Sequence, residues 1–451
     1  MTGDQEIYDV FIIGTGMAGM AAAVFAAARG LSTAVCGSVG GIDFTSGSLD
    51  LLAVYPVAEG RVWTDPWAAL ELLIREEPWH PYALVGARRV RAAMDEFCAA
   101  LEAMGLPYEG YGERNVSMLT PAGTLKTTYR VPRGMWPGVQ AVETKAPTLL
   151  VSFKGLKGFS SRQIQEVRQA DWPGLRSVLL PFPGHSGELY AEHLAAALSE
   201  PDIRQALAST VARELDGEAY VGFPASLGLY DAADVQAHLE AMLGAKVFEI
   251  PTLPPTLAGA RLRAAFELNL PRRGVAVFSQ KLAVMGRALD TGLLTFRIQG
   301  LGLGGWGESG AQPSEHGAWE PDDANQGLRI TARTAIHAGG RFFGKGLQAN
   351  RETIREPLLG LPVAQPPDRG HWHRETFFHP QGHPVNRAGL LTDRLLRPLG
   401  SLSGAQEPAF PNLFAAGSIL AGQDWVRERC GAGLAIATAY AAVEGALERL
   451  R

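Results

Sequence analysis

The residues best suited to chemistry are Gly14-Thr15-Gly16-Met17-Ala18-Gly19, directly after the apolar run Val10–Ile13. A Gly-x-Gly-x-x-Gly run between a strand and a helix is an anion cradle. Gly14 permits the tight turn, Gly16 removes a side chain so that phosphate can approach backbone N–H groups, and Gly19 lets the helix meet the sheet. The helix tip, with Met17 and Ala18 in its first turn, adds oriented donors and partial positive charge. Nucleotide-binding folds of this kind usually place an acid at the end of the second strand, about 20 residues on, for the adenosine ribose. Here that position is Gly37, flanked by Cys36, Ser38 and Val39, and the nearest following acid is Asp43. A mononucleotide has no such ribose. The expected ligand is therefore flavin mononucleotide, FMN, with FAD as the alternative if Ser38 or backbone groups serve the ribose.

Further candidates lie along the chain. The loop GIDFTSGSLDLL, 41–52, offers hydroxyls on Thr45, Ser46 and Ser48, and Gly47 for backbone approach. NLFAAGSILAG, 412–422, reads as a short strand delivering Gly417 and Ser418 to the cofactor, with serine where many flavoproteins carry aspartate. A helix opening at Gly431-Ala432-Gly433-Leu434 would aim its N-terminus at the pyrimidine edge of a flavin. AIHAGG, 335–340, ends a strand on Gly339 and Gly340, which pass over the cofactor. Cys430 reads as a small packing residue.

An anionic substrate would call for arginine and a histidine or tyrosine base. Arg355 and His379 are the candidates for catalysis, with surface or interface roles as the competing reading and Glu352 or Glu356 as alternative partners of Arg355. His371, His373, His379 and His383 do not have metal-site spacing or an acidic partner at a suitable offset, so no metal is expected.

The elements that must position these groups fit an α/β protein. The chain has 451 residues, net charge -5 and pI of about 6.1. No dense basic run suggests nucleic acid. Asp4, Glu6 and Asp9 argue against a signal peptide, and no apolar run reaches the ~18 residues of a spanning helix. Three separated cysteines form neither a cage nor a cluster and suit a reducing, cytoplasmic compartment. The expected fold is a Rossmann-like FAD/NAD(P)-binding (three-layer ββα) flavoprotein domain interrupted by a mixed α/β cap. The flavin-binding parts are assigned to 1–56 and 251–451, and the cap to 57–250. Helices are expected over 87–104, 187–198, 202–214, 232–243 and 258–270, strand character over 116–131, 148–153 and 218–223, and an exposed glycine-rich loop over 300–326.

Several ordered blocks carry a resemblance: TSGSLDLL (45–52), HPYALV (80–85), TPAGTLKTTY (120–129), IPTLPPTLAGARL (250–262), GGRFFGKGLQANRETIREPLLGLPV (339–363), NLFAAGSILAG (412–422) and CGAGLA (430–435). Together they resemble the B-subunit family of anaerobic glycerol-3-phosphate dehydrogenases. The resemblance implies FMN and a three-part complex. Its other members would be a catalytic subunit with FAD and an iron–sulfur, membrane-anchoring subunit, which docks at the inner face of the membrane and passes electrons to menaquinone. Such complexes oxidise sn-glycerol 3-phosphate to dihydroxyacetone phosphate. The B-type chain would relay electrons, while hydride chemistry belongs to the FAD-containing partner. Two readings compete: a stand-alone FAD oxidoreductase of the fumarate-reductase type acting on a small carboxylate, and a scaffold whose flavin site has decayed.

Overall fold

The computed structural model of the chain describes residues 7–37, 41–279, 282–287, 292–298, 328–403 and 406–451. Ser38 and the glycine-rich 300–326 stretch lie outside the described residues.

Strand β1, Ile7–Ile13, lies between β2, Thr33–Cys36, and the strand Leu328–His337, parallel to both. Val10, Phe11 and Ile12 have no exposed surface. A parallel strand covered on both faces needs a continuous apolar run, not alternation, and VFII supplies one. Across the sheet the order is Ala276–Phe278, β2, β1, Leu328–His337, Leu294–Ile298 and Leu282–Arg287. Leu413–Ala415 joins in parallel beside the end of Leu328–His337, and Leu294–Ile298 and Leu282–Arg287 continue as an antiparallel edge. Helix α1, Met17–Ala28, packs against the C-terminal helix Gly431–Leu450. Both are alanine-rich, so their backbones approach closely, and Phe25 sets its ring edge-on to Tyr440 at 5.2 Å. This is the Rossmann-like α/β architecture that the sequence predicts.

A second sheet, Lys246–Ile250, Tyr220–Pro224, Thr148–Phe153 and Leu175–Leu180, is parallel throughout and has apolar clusters of its own. Helices Pro66–Glu76 and Ala87–Ala103 join the first core instead. The 116–131 stretch is not one strand. It folds into an antiparallel hairpin, Val116–Leu119 with Leu125–Thr128, because Thr120-Pro121-Ala122-Gly123-Thr124 turns with Gly123 at φ 80°. The helix expected over 187–198 begins at Ala191, and 187–190 form bends and a bridge before it.

Helix Leu257–Arg272 ties the second sheet down through a buried ion pair. Arg261 donates to both carboxylate oxygens of Glu249, at 2.5 and 2.9 Å, and to the Gly228 carbonyl at 2.7 and 2.9 Å. Glu249 also accepts the N–H groups of Ser226 and Leu227. Arg261→Met strands a buried carboxylate and should cost about 3–5 kcal/mol in chemical denaturation. Adding Glu249→Gln should recover part of that loss, since the charge is gone while an oxygen still accepts the N–H groups. A single variant as stable as the parent would refute this account.

Candidate functional site

The three glycines of the cradle do different jobs. At Gly14, φ is 108°, and a Cβ would stand 2.3 Å from the Ala338 carbonyl oxygen. A Cβ on Gly19 would stand 1.8 Å from the Gly14 oxygen. Both are required by the packing of backbone on backbone. Gly16 is not: no atom lies within 4 Å of the Cβ it lacks, and its φ of -77° and ψ of -175° suit any residue. Gly16 opens α1 as its N-cap, with no side-chain cap on the helix and no acid in the first turn. The protein therefore leaves room over an uncapped helix tip, formed by Met17, Ala18 and Gly19, which fits a bound phosphate.

Two other loops converge on this tip. Leu413–Ala415 delivers Gly417, φ 81°, whose absent Cβ would lie 2.6 Å from the Ala18 Cβ. Thr438 of the C-terminal helix accepts the Gly417 N–H at 2.8 Å. The Ser418 hydroxyl is 3.8 Å from the Cβ position of Gly340, φ 70°. Gly339 sits over the His337 ring, 2.8 Å from its Cε1 by the same construction. Gly37, by contrast, backs onto Thr15: a Cβ there would meet the Thr15 nitrogen at 2.7 Å and its hydroxyl at 2.8 Å. It supports the turn between Gly14 and Gly16 through close packing.

His337 and Glu356, a pair absent from the sequence expectations, lie under the Gly339–Gly340 turn. His337 Nε2 is 3.3 Å from Glu356 Oε1, and both side chains are buried. Glu356 also accepts the N–H groups of Leu358, Leu359 and Leu361. Burial pushes this carboxyl up, but the His337 hydrogen bond and charge, with the backbone donors, outweigh it and hold the group below its ordinary value.

The tip of the C-terminal helix is partly spent. The Gly433 N–H donates to the Asp50 carbonyl at 2.6 Å, and a Cβ on Gly433 would meet the Tyr82 hydroxyl at 2.6 Å. The absent Cβ of Gly431 would lie 2.9 Å from the Trp425 ring, and Leu434 is core. Gly431 and Ala432 open a helix that has no side-chain cap. Cys430 is buried; burial, with Glu428 beside it, pushes its thiol well up, which keeps it protonated and inert.

The loop hydroxyls are engaged by the protein itself. Lys126 Nζ donates to Ser48 Oγ at 2.8 Å and Ser46 Oγ at 3.2 Å and pairs with Asp50 Oδ2 at 3.0 Å. Thr128 donates to Asp50 at 2.7 Å. Thr45 Oγ1 accepts the Gly47 N–H, and Tyr108 donates to the Gly47 carbonyl. Gly47, φ 85°, packs where a Cβ would be 2.7 Å from Ala258. The loop is a bridge joining the 116–128 hairpin and helix Leu257–Arg272 to the tip of the C-terminal helix. Lys126 and Asp50 were missed because nothing local marks a lysine on a hairpin as the partner of a distant loop.

Arg355 and His379 do not gather at the cradle. Arg355 is exposed and reaches Gln348 at 3.4 Å, not Glu352 or Glu356. His379 accepts the Gln381 N–H within its own turn. His383 accepts from the Arg374 N–H and bonds the Phe377 carbonyl, and so shapes its loop. Among the described residues no group of His, Cys, Asp and Glu is arranged to hold a metal.

The FAD binding domain model matches residues 9–434. The anaerobic glycerol-3-phosphate dehydrogenase B subunit of Yersinia pestis bv. Antiqua is 31% identical over 97% of this chain and 97% of its own. The chain belongs to this B-subunit family. The protein of the same name from Vibrio cholerae serotype O1 is 29% identical, covering 97% of this chain and 96% of that one. A solved 3-ketosteroid delta1-dehydrogenase from Sterolibacterium denitrificans is similar over 98% of this chain and 100% of that chain, with 14% identity and a TM-score of 0.40. Membership makes the chain a flavoprotein.

Proposed function

We propose that the chain binds FMN and serves as the electron-relaying B subunit of an anaerobic, quinone-dependent glycerol-3-phosphate dehydrogenase complex. The complex oxidises sn-glycerol 3-phosphate to dihydroxyacetone phosphate. A catalytic FAD subunit would take the hydride, and an iron–sulfur subunit would carry electrons to the inner face of the membrane. The relatives named as a subunit support an assembly of this kind. Among the described residues, no helix is long and apolar enough to cross a membrane, and in this reading the membrane contact belongs to the iron–sulfur partner.

The observation that carries the single-phosphate reading is Gly37 pressed against Thr15, 2.7 Å from its nitrogen by Cβ construction. The position that normally holds the ribose acid has neither a side chain nor space for one. When bound, the flavin supplies a group that takes electrons in pairs and releases them singly. The N–H groups at the tip of α1 would hold its phosphate, Gly340, Gly417 and Ser418 would flank its sugar chain, and the tip of the C-terminal helix would favour negative charge on its ring. Arg355 reaches Gln348 and His379 accepts within its own turn, so the two are not paired as acid and base. The division into 1–56, 57–250 and 251–451 belongs to the same proposal, with 148–250 carrying the second sheet.

The test is to purify the chain, release its flavin by heat and weigh it. FMN is expected at one per chain. FAD would shift the reading to a stand-alone oxidoreductase, and a colourless protein would mean a decayed site.

A further inference from the structure

The residues assigned above to the flavin carry no charge. Gly16, Met17 and Ala18 form the α1 tip, and Gly340, Gly417 and Ser418 converge on it. A monoester phosphate carries about -1.5 to -2 charges at neutral pH, while a helix tip offers about +0.5. The remainder calls for a cation, and the fork of an arginine matches phosphate geometry.

Arg341 directly follows Gly340, on a turn fixed by backbone packing. The Cβ that Gly14 lacks would stand 2.3 Å from the Ala338 oxygen and 3.1 Å from the Gly339 nitrogen, so the turn touches the first cradle glycine. The absent Cβ atoms of Gly344 and Gly346 would lie 2.4 Å from the Gly339 oxygen and 2.2 Å from the Gly340 oxygen. From this turn the guanidinium reaches main-chain carbonyls: Nη2 donates to Val385 at 2.7 Å, and Nη1 donates to Asn386. Nε is sealed from solvent and has no acceptor. Among the described residues Arg341 forms no ion pair. Burial pushes its guanidinium below the ordinary range, and Asp424 is the one charge that opposes this. Asp424 is itself engaged, by Asn386 at 3.0 Å and by Arg427 at 4.0 Å. Buried charges are normally paired, so a shielded cation with an idle donor points to an anion that completes it. Arg429, the other arginine bordering these segments, precedes the C-terminal helix, at the end assigned to the flavin ring.

We propose that Arg341 is the counter-charge of the flavin's phosphate and makes the site prefer FMN to unphosphorylated flavin. This assignment rests on the single-phosphate reading above. The charge and the Nε–H of Arg341 add to the N–H donors of the α1 tip. The experiment strips the full-length chain of flavin and titrates it with FMN and with riboflavin, which differ only in the phosphate. Flavin fluorescence gives both affinities for wild type, Arg341→Gln and Arg341→Lys. Their ratio is the readout, because a defect of fold lowers both alike. In Arg341→Gln the preference for FMN should fall by about tenfold or more. Arg341→Lys should keep most of it, since lysine binds phosphate as a point charge. Arg341→Met, which keeps the apolar stem, gives the same comparison should the glutamine variant not fold. An unchanged ratio, whether or not both affinities fall, would make Arg341 a structural residue and overturn this assignment alone. A wild-type chain that binds riboflavin as tightly as FMN, or takes FAD instead, would overturn the single-phosphate reading itself.

Discussion

Gly16→Val will purify as a folded protein without flavin. The Cβ meets no protein atom within 4 Å, and the backbone, φ -77° and ψ -175°, lies in the extended region that β-branched residues favour. The fold therefore has no reason to resist the change, and replacing glycine stiffens the unfolded chain. The new methyl groups occupy the space over the α1 tip, where phosphate must come within hydrogen-bonding distance of backbone N–H groups. Thermal melting of the flavin-free forms should be unchanged within about 1 kcal/mol, while bound flavin per chain falls at least tenfold. Gly19→Val is the control with the opposite failure. Its Cβ would lie 1.8 Å from the Gly14 oxygen, a clash of backbone with no soft neighbour to yield, and little soluble protein is expected. Stoichiometric flavin in Gly16→Val would remove the cradle from this position.

Glu428→Ala should be among the most damaging single changes to stability, at about 3–5 kcal/mol in denaturant. The carboxylate is buried, and its removal leaves the His80 Nε2 proton and one side of Arg387 without an acceptor. His80 cannot turn to another partner, because its Nδ1 already accepts the Tyr82 N–H as the cap of helix Pro81–Val85. Burial pushes the Glu428 carboxyl up, while the His80 hydrogen bond, with the charge of Arg387 and the backbone donor of the Asp424 turn, more than reverses this and leaves it below its ordinary value of 4.5. A lowered folded value means that the stabilisation is present above the unfolded value and is lost as pH falls through the lower, folded one. Wild type should therefore lose stability on acidification below about pH 4.5, and Glu428→Gln should show a shallower loss, with Glu356 supplying part of the remainder by the same sign. Equal slopes in the two proteins would show that Glu428 does not titrate with folding.

The expectations drawn from sequence held where the physics is local. A strand buried on both faces, a turn that needs φ of 108° at Gly14 and an alanine-rich helix are all written within about twenty consecutive residues, and each constrains the next. The glycines at 340 and 417 were legible for the same reason, as strand ends that need left-handed backbone. The hydroxyl loop was legible as polar, but its protein partners were not. Whether Ser46 and Ser48 face a ligand or a lysine depends on Lys126, which a hairpin folded at Gly123 brings to them. No spacing along the chain encodes that meeting.

The sequence alone therefore determined the glycine turn between β1 and α1, the class of fold and the family, because these rest on short-range backbone requirements and on ordered blocks of residues. Only the tertiary structure decided that Gly16 is free of protein contact while Gly14 and Gly19 are not. It alone gathered His80, Glu428 and Cys430 into one buried group that the more exposed Arg387 reaches from outside, and left Phe377, Phe378 and Trp425 uncovered. The reason is physical: which charge neutralises which, and which apolar face stays wet, depends on distances through space between segments hundreds of residues apart, and these exist only once the sheet and its helices have closed.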